Sequence, residues 1–138
     1  MDFNQPLVVP MSSPDLTDRE RQAVLSVVNS TSLSMGPYIQ AFEDAFRAYT
    51  GLKHAIGVNS GTAGLHLCAL ACGVKDNDLV ITTPFSFAAS TNVLLYQHAI
   101  PVFVDVDPLT GNIDPQMVAQ AATDLHSGGS AARRWLPR

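Results

Sequence analysis

The chain has 138 residues, of which 46% are hydrophobic and 14% charged, with a formal net charge of -4. This length allows one domain with a hydrophobic core, and the composition is that of a globular protein. The negative charge offers no basic surface for nucleic acid, so we expect no nucleic-acid partner. The sequence shows neither a signal peptide nor an apolar run near the roughly 20 residues of a membrane helix. It therefore predicts a cytoplasmic protein without a membrane partner.

Two helices are predicted first along the chain. Thr17 and Glu20 fit a capping box, which predicts that a helix starts there. Pro37 suits the first position of a second helix, and Gly51 suits its end. The apolar residues of this second helix share one face, which we expect to belong to the core. They are Ile39, Phe42, Phe46 and Tyr49.

A short strand, a turn and a helix are predicted over residues 55–72. Residues 55–58 are an apolar run of strand length, and Ser60-Gly61-Thr62 supplies a turn with a capping hydroxyl. Helical apolar spacing begins at Leu65, and Gly73 suits the helix end. The first amides of a helix lack partners within it and attract anions. The local pattern therefore allows either an ordinary capped turn or a site for a phosphate group.

The cysteines and histidines of the chain predict no metal site. Cys68 and Cys72 are four residues apart, which matches no zinc motif, and we expect both to be buried as small apolar residues. The four histidines form no ligand motif, and His66 is interpreted as a packing or surface residue. No Ser-His-Asp set or carboxylate pair stands out either.

Strands and helices are predicted to alternate through the rest of the chain. Residues 79–82 and 100–104 fit short strands. Helices are predicted from Ser86, as the cap, to Gln97 and from Asp114 to about Leu125. This alternation predicts an α/β fold with a mostly parallel sheet and flanking helices.

Ligands of such sheets bind at the carboxyl ends of the strands. Residues 60–62, residues 85–87 and the pair Asp105 and Asp107 each follow a predicted strand. A phosphate site beside an aromatic side chain would suit a planar phosphorylated ligand. The two aspartates are interpreted as turn formers, because aspartate commonly closes a strand before proline.

Four motifs of the chain resemble one enzyme family. They are Gly36-Pro37 with Phe42-Glu43, Asn59-Ser60-Gly61-Thr62-Ala63, Phe85-Ser86-Phe87-Ala88-Ala89-Ser90-Thr91-Asn92, and Pro101-Val102-Phe103-Val104-Asp105-Val106-Asp107. Their order and spacing resemble the DegT/DnrJ/EryC1/StrS aminotransferases, from about Phe3 to Leu125. These are pyridoxal phosphate (PLP) enzymes of the aspartate-aminotransferase fold, and many aminate keto sugars carried on nucleotides. The resemblance implies that residues 1–125 are the N-terminal portion of such a type I PLP large domain.

The resemblance also implies a cofactor site. Thr62 and Ala63 would contact the phosphate of PLP, Gly61 would allow its approach, and Phe87 would lie against the pyridine ring. A nucleotide-sugar substrate, an amino-acid donor and a homodimer of the full-length protein are implied as well. The family usually has alanine where this chain has Gly64, and glycine inside a helix costs roughly 1 kcal/mol.

No catalytic residue is assigned from the resemblance. The lysine that forms the Schiff base in this family belongs to a downstream segment with no counterpart here. Lys53 and Lys75 are the two lysines of the chain, and both precede predicted strands, away from the ligand edge. We expect neither to replace it.

Residues 126–138 are rich in Gly, Ser and Arg, and we expect a non-native or frame-shifted tail rather than a flexible basic one. The sequence thus predicts a truncated PLP-dependent aminotransferase that is inactive alone. The alternatives are a non-catalytic fragment, an α/β module for another phosphorylated ligand, and a dehydratase or regulatory relative of the same fold.

Overall fold

The structure is a computed structural model that describes Pro10 and residues 12–136. Backbone contacts divide the chain into two units, one ending at Gly57 and the other beginning at Val58. The start of the predicted domain, residues 1–9 with Met11, and the end of the predicted tail, Pro137 and Arg138, lie outside the described residues.

The first unit contains two helices, and both start where the sequence predicts. α1 (Asp18–Val28) begins at a capping box, in which the Glu20 carboxylate accepts a hydrogen bond of 2.7 Å from the Thr17 amide. α2 (Pro37–Thr50) has proline at its first position and ends at Gly51, whose φ is 71°. Glycine suits that position because it adopts positive φ without a steric penalty.

The apolar face of α2 is exposed, so the prediction that it forms core is wrong for this chain. Its exposed fractions run from 39% at Ile39 to 89% at Tyr49. Phe42 and Phe46 contact each other, with ring centroids 6.1 Å apart. No described residue up to Gly57 is fully buried, because an apolar helix face becomes core only when a second layer covers it.

The strand predicted at residues 55–58 is also not formed. A strand requires a neighbouring strand for its backbone hydrogen bonds, and in the described part of the chain these residues pair with none. The amide of Gly57 instead donates to the Glu43 carboxylate, with a distance of 2.7 Å to Oε1. Ile56 remains 78% exposed. The apolar run is therefore an extended segment without a sheet around it.

The second unit contains the sheet. α3 (Gly61–Ala71) is followed by β1 (Leu79–Thr82), α4 (Ala89–Leu95), β2 (Ile100–Phe103), α5 (Pro115–Ser127) and α6 (Gly129–Arg133). β1 and β2 run parallel, with Leu79 opposite Ile100 and Thr82 opposite Phe103. α4 makes the crossover that two parallel strands require. The parallel α/β organisation predicted from the sequence is confirmed at these two strands.

The core of this unit lies along β2, α4 and the two C-terminal helices. Val102 and Ala121 have 0% exposure, and Val104 has 2%. The other buried residues are Ala89, Val93, Leu94, Ala99 and Ala132. Because most of these side chains are small, the elements can approach closely, but little apolar area is removed from water.

α4 is shorter than predicted, and Ser86 is not its cap. The helix begins at Ala89 and has no side-chain cap, while the Ser86 hydroxyl lies 2.9 Å from the Ser90 hydroxyl. Bends over residues 84–86 delay the helix. By contrast, the predicted cap of α5 is confirmed, since the Asp114 carboxylate accepts from the amide of Gln116 at 2.8 Å.

α6 and Trp135 lie within the segment predicted to be a tail. The Trp135 indole donates to the Asp124 carboxylate at 2.8 Å, and the Arg134 guanidinium lies 4.7 Å from the indole ring centre. The indole hydrogen bond holds the pKa of Asp124 below its ordinary value. The indole hydrogen bond to Asp124 attaches the segment to α5, which extends two residues past the predicted end at Leu125. Whether residues 126–138 are frame-shifted stays a prediction.

Gly64 lies inside α3, where alanine should stabilise the helix more than glycine does. A Cβ there would lie 3.5 Å from Cγ2 of Val58, an ordinary contact. We expect Gly64→Ala to raise the free energy of unfolding by about 0.5–1 kcal/mol, measured by chemical denaturation. Gly73→Ala is the matched control. Gly73 has a φ of 79°, so alanine there should lower the free energy of unfolding by about 1 kcal/mol. Shifts of the same sign would contradict the backbone argument.

Candidate cofactor site

The N-terminus of α3 presents free backbone donors. The Ser60 hydroxyl accepts a hydrogen bond of 3.1 Å from the Ala63 amide, and the Ser60 carbonyl accepts from the Gly64 amide at 3.1 Å. Within the described residues, the amides of Gly61 and Thr62 have no hydrogen-bond partner. The positive end of the helix dipole lies at the same place. The capped turn and the anion site are therefore compatible, since the cap uses a different amide.

The side of Gly61 on which a Cβ would lie is open. No neighbouring atom lies within 4 Å of the position that a Cβ on Gly61 would take. The missing side chain of Gly61 therefore leaves its backbone accessible to a ligand from this side.

A cleft of about 570 Å³ lies beside the turn. Its lining comes from α3 and from residues 87–90, and includes Gly61, Thr62, Leu65, Cys68 and Phe87. This volume falls within the roughly 300–1,000 Å³ of small-molecule sites. The structure thus brings Gly61, Thr62 and Phe87 together, while Ala63 lies in the same helical turn.

The aromatic ring of Phe87 borders the cleft and is largely exposed to solvent. Its side chain is 82% exposed, so a face of the ring is free for contact. A planar aromatic ligand would gain offset stacking there. Free amides at one end of the cleft and a free aromatic ring beside them are the chemical features that PLP requires, so the residues fit this cofactor.

Asp105 and Asp107 do not line this cleft, and their interpretation as turn formers is confirmed. One Asp105 oxygen accepts from the Val106 amide at 2.8 Å. One Asp107 oxygen accepts from the amides of Thr110 and Leu109 at 2.9 and 2.8 Å. These amides hold the pKa of Asp107 below its ordinary value.

Cys68 and Cys72 are exposed free thiols, so the prediction that both are buried is wrong. α3 is apolar on more than one side, and the described part of the chain does not cover the side that carries them. Cys68 is also a lining residue of the cleft that sequence analysis missed. Its spacing of i, i+4 and i+7 with Gly61 and Leu65 is the signal that could have indicated it.

His66 makes packing contacts, in agreement with its interpretation as a packing or surface residue. Its Nε2 lies 2.6 Å from the Gln97 amide nitrogen, and its ring packs against that of Tyr96 in a T-shaped arrangement with centroids 5.3 Å apart. Across the described residues, no three His, Cys, Asp or Glu side chains converge as metal ligands. None of the described helices is long and apolar enough to cross a membrane.

The family resemblance is confirmed by comparison with known proteins. The model of the DegT/DnrJ/EryC1/StrS aminotransferase family matches residues 14–128. The chain belongs to this family.

Individual proteins that are similar to this chain in sequence or in structure support this assignment. The chain is 40% identical over 130 residues to the spore coat polysaccharide biosynthesis protein SpsC of Bacillus subtilis, covering 89% of this chain and 33% of SpsC. It is 42% identical over 107 residues to a GDP-perosamine synthase of Caulobacter vibrioides, covering 77% of this chain and 29% of that protein. The PLP form of Spr1654 from Streptococcus pneumoniae superposes with a TM-score of 0.76 at 31% identity, over 82% of this chain and 29% of Spr1654.

These comparisons confirm the predicted fold class, an α/β fragment of a type I PLP aminotransferase with a parallel sheet and flanking helices. The chain spans about a third of the length of the relatives it matches.

Proposed function

We propose that this chain binds PLP as part of an aminotransferase that acts on nucleotide-linked keto sugars with an amino acid as the donor. The observation that carries the proposal is the cleft that joins the free amides of Gly61 and Thr62 to the exposed ring of Phe87. Family membership supports transamination. The names of the relatives, a GDP-perosamine synthase and a polysaccharide biosynthesis protein, support a sugar substrate.

Gly61 and Thr62 are proposed to hold the phosphate end of the cofactor, with Ala63 next to it in the same helical turn and its amide donating to the Ser60 hydroxyl. The amides of Gly61 and Thr62 donate to phosphate oxygens, and the Thr62 hydroxyl is a third donor. No lysine or arginine is among the residues that line the cleft, so the attraction comes from the helix terminus. Such an interaction is worth roughly 0.3–1 kcal/mol when exposed. The phosphate end alone would therefore bind loosely.

Phe87 is proposed to orient the ring of the cofactor. Stacking on a flat ring contributes about 0.5–1.5 kcal/mol beyond area burial, and it excludes water from one ring face. When bound, PLP supplies the electron sink for amino-group transfer. The role of this chain is to fix the phosphate and the plane of the ring relative to each other.

Thr62→Val tests the phosphate site. The substitution removes a hydroxyl donor and keeps the shape, so we expect the dissociation constant for PLP to rise about two- to tenfold, corresponding to a hydrogen bond of about 0.5–1.5 kcal/mol. Fluorescence titration with PLP, and with pyridoxal as the ligand without phosphate, measures it. Affinity for pyridoxal should be unchanged.

Thr123→Val is the matched control for this experiment. Thr123 is exposed on α5 and its hydroxyl donates to the Ala119 carbonyl at 2.9 Å, so PLP affinity should be unchanged. Equal losses in the two variants, or an equal loss for PLP and pyridoxal, would refute a phosphate site at Thr62.

We further propose that this chain alone holds PLP without a covalent bond and does not transaminate. Lys75 lies in the turn before β1, where its amide donates to the Asp78 carboxylate at 2.8 Å. That turn precedes the strand, whereas Phe87 follows its carboxyl end. Lys53 lies in the unit that ends at Gly57 and outside the lining of the cleft.

Reduction with borohydride in the presence of PLP should leave both lysines without stoichiometric pyridoxyl label, as measured by peptide mass spectrometry. Lys53→Arg and Lys75→Arg should then bind PLP as tightly as the unaltered chain. Complete labelling of one lysine, lost in its arginine variant, would contradict the assignment. For the full-length protein we propose a homodimer and a cytoplasmic location, as the family resemblance implies.

A further inference from the structure

Cys68 in α3 and Cys72, the C-cap residue of α3, form an exposed pair to which the proposed function gives no role. Both are free thiols. The amide of Cys72 donates to the carbonyl of Cys68 at 2.9 Å, which is the i to i−4 bond of a regular α-helix. The two side chains therefore lie on the same face, one turn apart.

This spacing disfavours a disulfide between them. Residues four apart on a helix have Cβ atoms about 5–6 Å apart, whereas a disulfide requires about 3.5–4.5 Å. Closing it would require the last turn of α3 to unwind. Two bonds of about 2.3 Å, the usual length of a metal–thiolate bond, that meet at the nearly right angle of pyramidal trivalent arsenic hold the sulfurs about 3.3–3.5 Å apart. Rotation about the Cα–Cβ bonds brings the sulfurs within that range without moving the backbone.

The number of ligand side chains near the two cysteines limits which metal or metalloid can bind there. Structural zinc requires four ligands, and the described residues place no third His, Cys, Asp or Glu beside the pair. Soft thiolates favour soft metals and metalloids. We propose that Cys68 and Cys72 form a dithiol site for a soft, thiophilic centre that two sulfurs satisfy, such as trivalent arsenic in an organoarsenical.

The capture step is a condensation without electron transfer. Phenylarsine oxide, with one As=O bond, reacts with the two thiols, and two As–S bonds form. The oxygen leaves as one molecule of water that carries both thiol protons. Arsenic stays trivalent, and no oxidant or reductant is consumed. The second bond forms within the protein, at a high effective concentration of the second thiol.

Binding of the arsenical to the two cysteines should affect ligand binding in the neighbouring cleft. This expectation rests on the proposed function. Cys68 lines the cleft together with Gly61, Thr62 and Phe87, whereas Cys72 lies one turn further along α3. A phenyl-arsenic group fixed between the two sulfurs would occupy space at the Cys68 side of the cleft. Occupancy of the dithiol site should therefore weaken the binding of PLP.

Intact-mass spectrometry after treatment with phenylarsine oxide and a wash with excess glutathione tests the site. The unaltered chain should retain one phenylarsenic group, which a small dithiol then removes. Cys68→Ser and Cys72→Ser, each with one thiol, should retain at least about tenfold less, because a single As–S bond exchanges with glutathione. Loss of the adduct from the unaltered chain in the glutathione wash would overturn the proposal.

A second variant keeps two thiols at the wrong spacing. Cys68→Ser combined with Leu70→Cys places thiols at 70 and 72, and residues two apart on a helix do not face each other. Leu70 is 45% exposed, so the change leaves the core untouched. We expect this variant to behave like the single-thiol chains. Retention equal to that of the unaltered chain would show that the helix geometry plays no part and would overturn the proposal.

PLP titration of the arsenical-treated chain separates the two proposals. We expect the dissociation constant for PLP to rise at least about tenfold after treatment and to recover with the small dithiol. If the untreated chain does not bind PLP, the proposed function fails while the adduct still decides the dithiol site. If PLP binds equally before and after stable capture, the link between Cys68 and the cleft is refuted.

Discussion

Val102→Asp is expected to abolish the cooperative unfolding transition of the unit that begins at Val58. Val102 lies in β2 opposite Ile81 and is 0% exposed. None of the described polar or charged residues is buried, so a carboxylate there would lose its hydration without finding a partner. That penalty is several kcal/mol, comparable to the roughly 5–15 kcal/mol that stabilise a whole domain. Circular dichroism during heating measures the result.

Phe103→Asp is the matched control, because it places the same carboxylate one residue further along β2. Successive side chains of a strand point to opposite faces, and Phe103 is 46% exposed. We expect a loss of about 1 kcal/mol, the range of β-propensity effects, and a retained cooperative transition. If both variants unfold to the same extent, burial does not explain the requirement for Val102.

Helix starts were predictable from the sequence because their signals are local. Thr17 and Asp114 each bond amides within three residues of themselves, and Ser60 does the same for α3. Such side-chain bonds form whatever the rest of the chain does. Ser86 failed as a cap because residues 84–86 bend before α4 begins, which depends on how the chain leaves β1.

Burial was less predictable, because it depends on what covers a residue. The apolar faces of α2 and α3 follow the helical period, so the sequence correctly indicated helices. Whether those faces are covered depends on distant elements, and in this structure Tyr49 is 89% exposed and both cysteines are exposed. The strand at residues 55–58 failed for the same reason, since hydrophobicity supplies no hydrogen-bonding neighbour.

The candidate site combines features that local sequence determines with features that depend on distant parts of the chain. Gly61 and Thr62 follow from a local turn pattern, whereas Phe87 joins them only because the chain returns from β1 to the N-terminus of α3. The rule that ligands lie at the carboxyl ends of parallel strands predicted that meeting, but it holds here only for Phe87 after β1, since the strand expected before Gly61 is not formed. Cys68 was missed because the sequence pattern assigned its helix face to the core.

The chain is expected to self-associate in solution through the exposed face of α2. Ile39, Phe42, Phe46 and Tyr49 leave a continuous apolar stripe open to water, and contiguous apolar surface of this kind drives association. Phe42→Glu combined with Phe46→Glu places two charges in the stripe. Size-exclusion chromatography with light scattering should show a larger species for the unaltered chain and a shift towards the monomer for this variant.

The control variant combines Ala41→Glu with Ala48→Glu. It tests whether a loss of association results from disrupting the apolar stripe or from adding two negative charges. Both alanines are exposed on α2, and at 100° per residue they lie on the side of the helix away from the stripe. The two added charges are the same, so general repulsion between chains would be equal in the two double variants. We expect association to persist in this control, because the apolar face stays intact. A monomeric unaltered chain, or equal dissociation of both double variants, would show that the α2 face does not drive assembly.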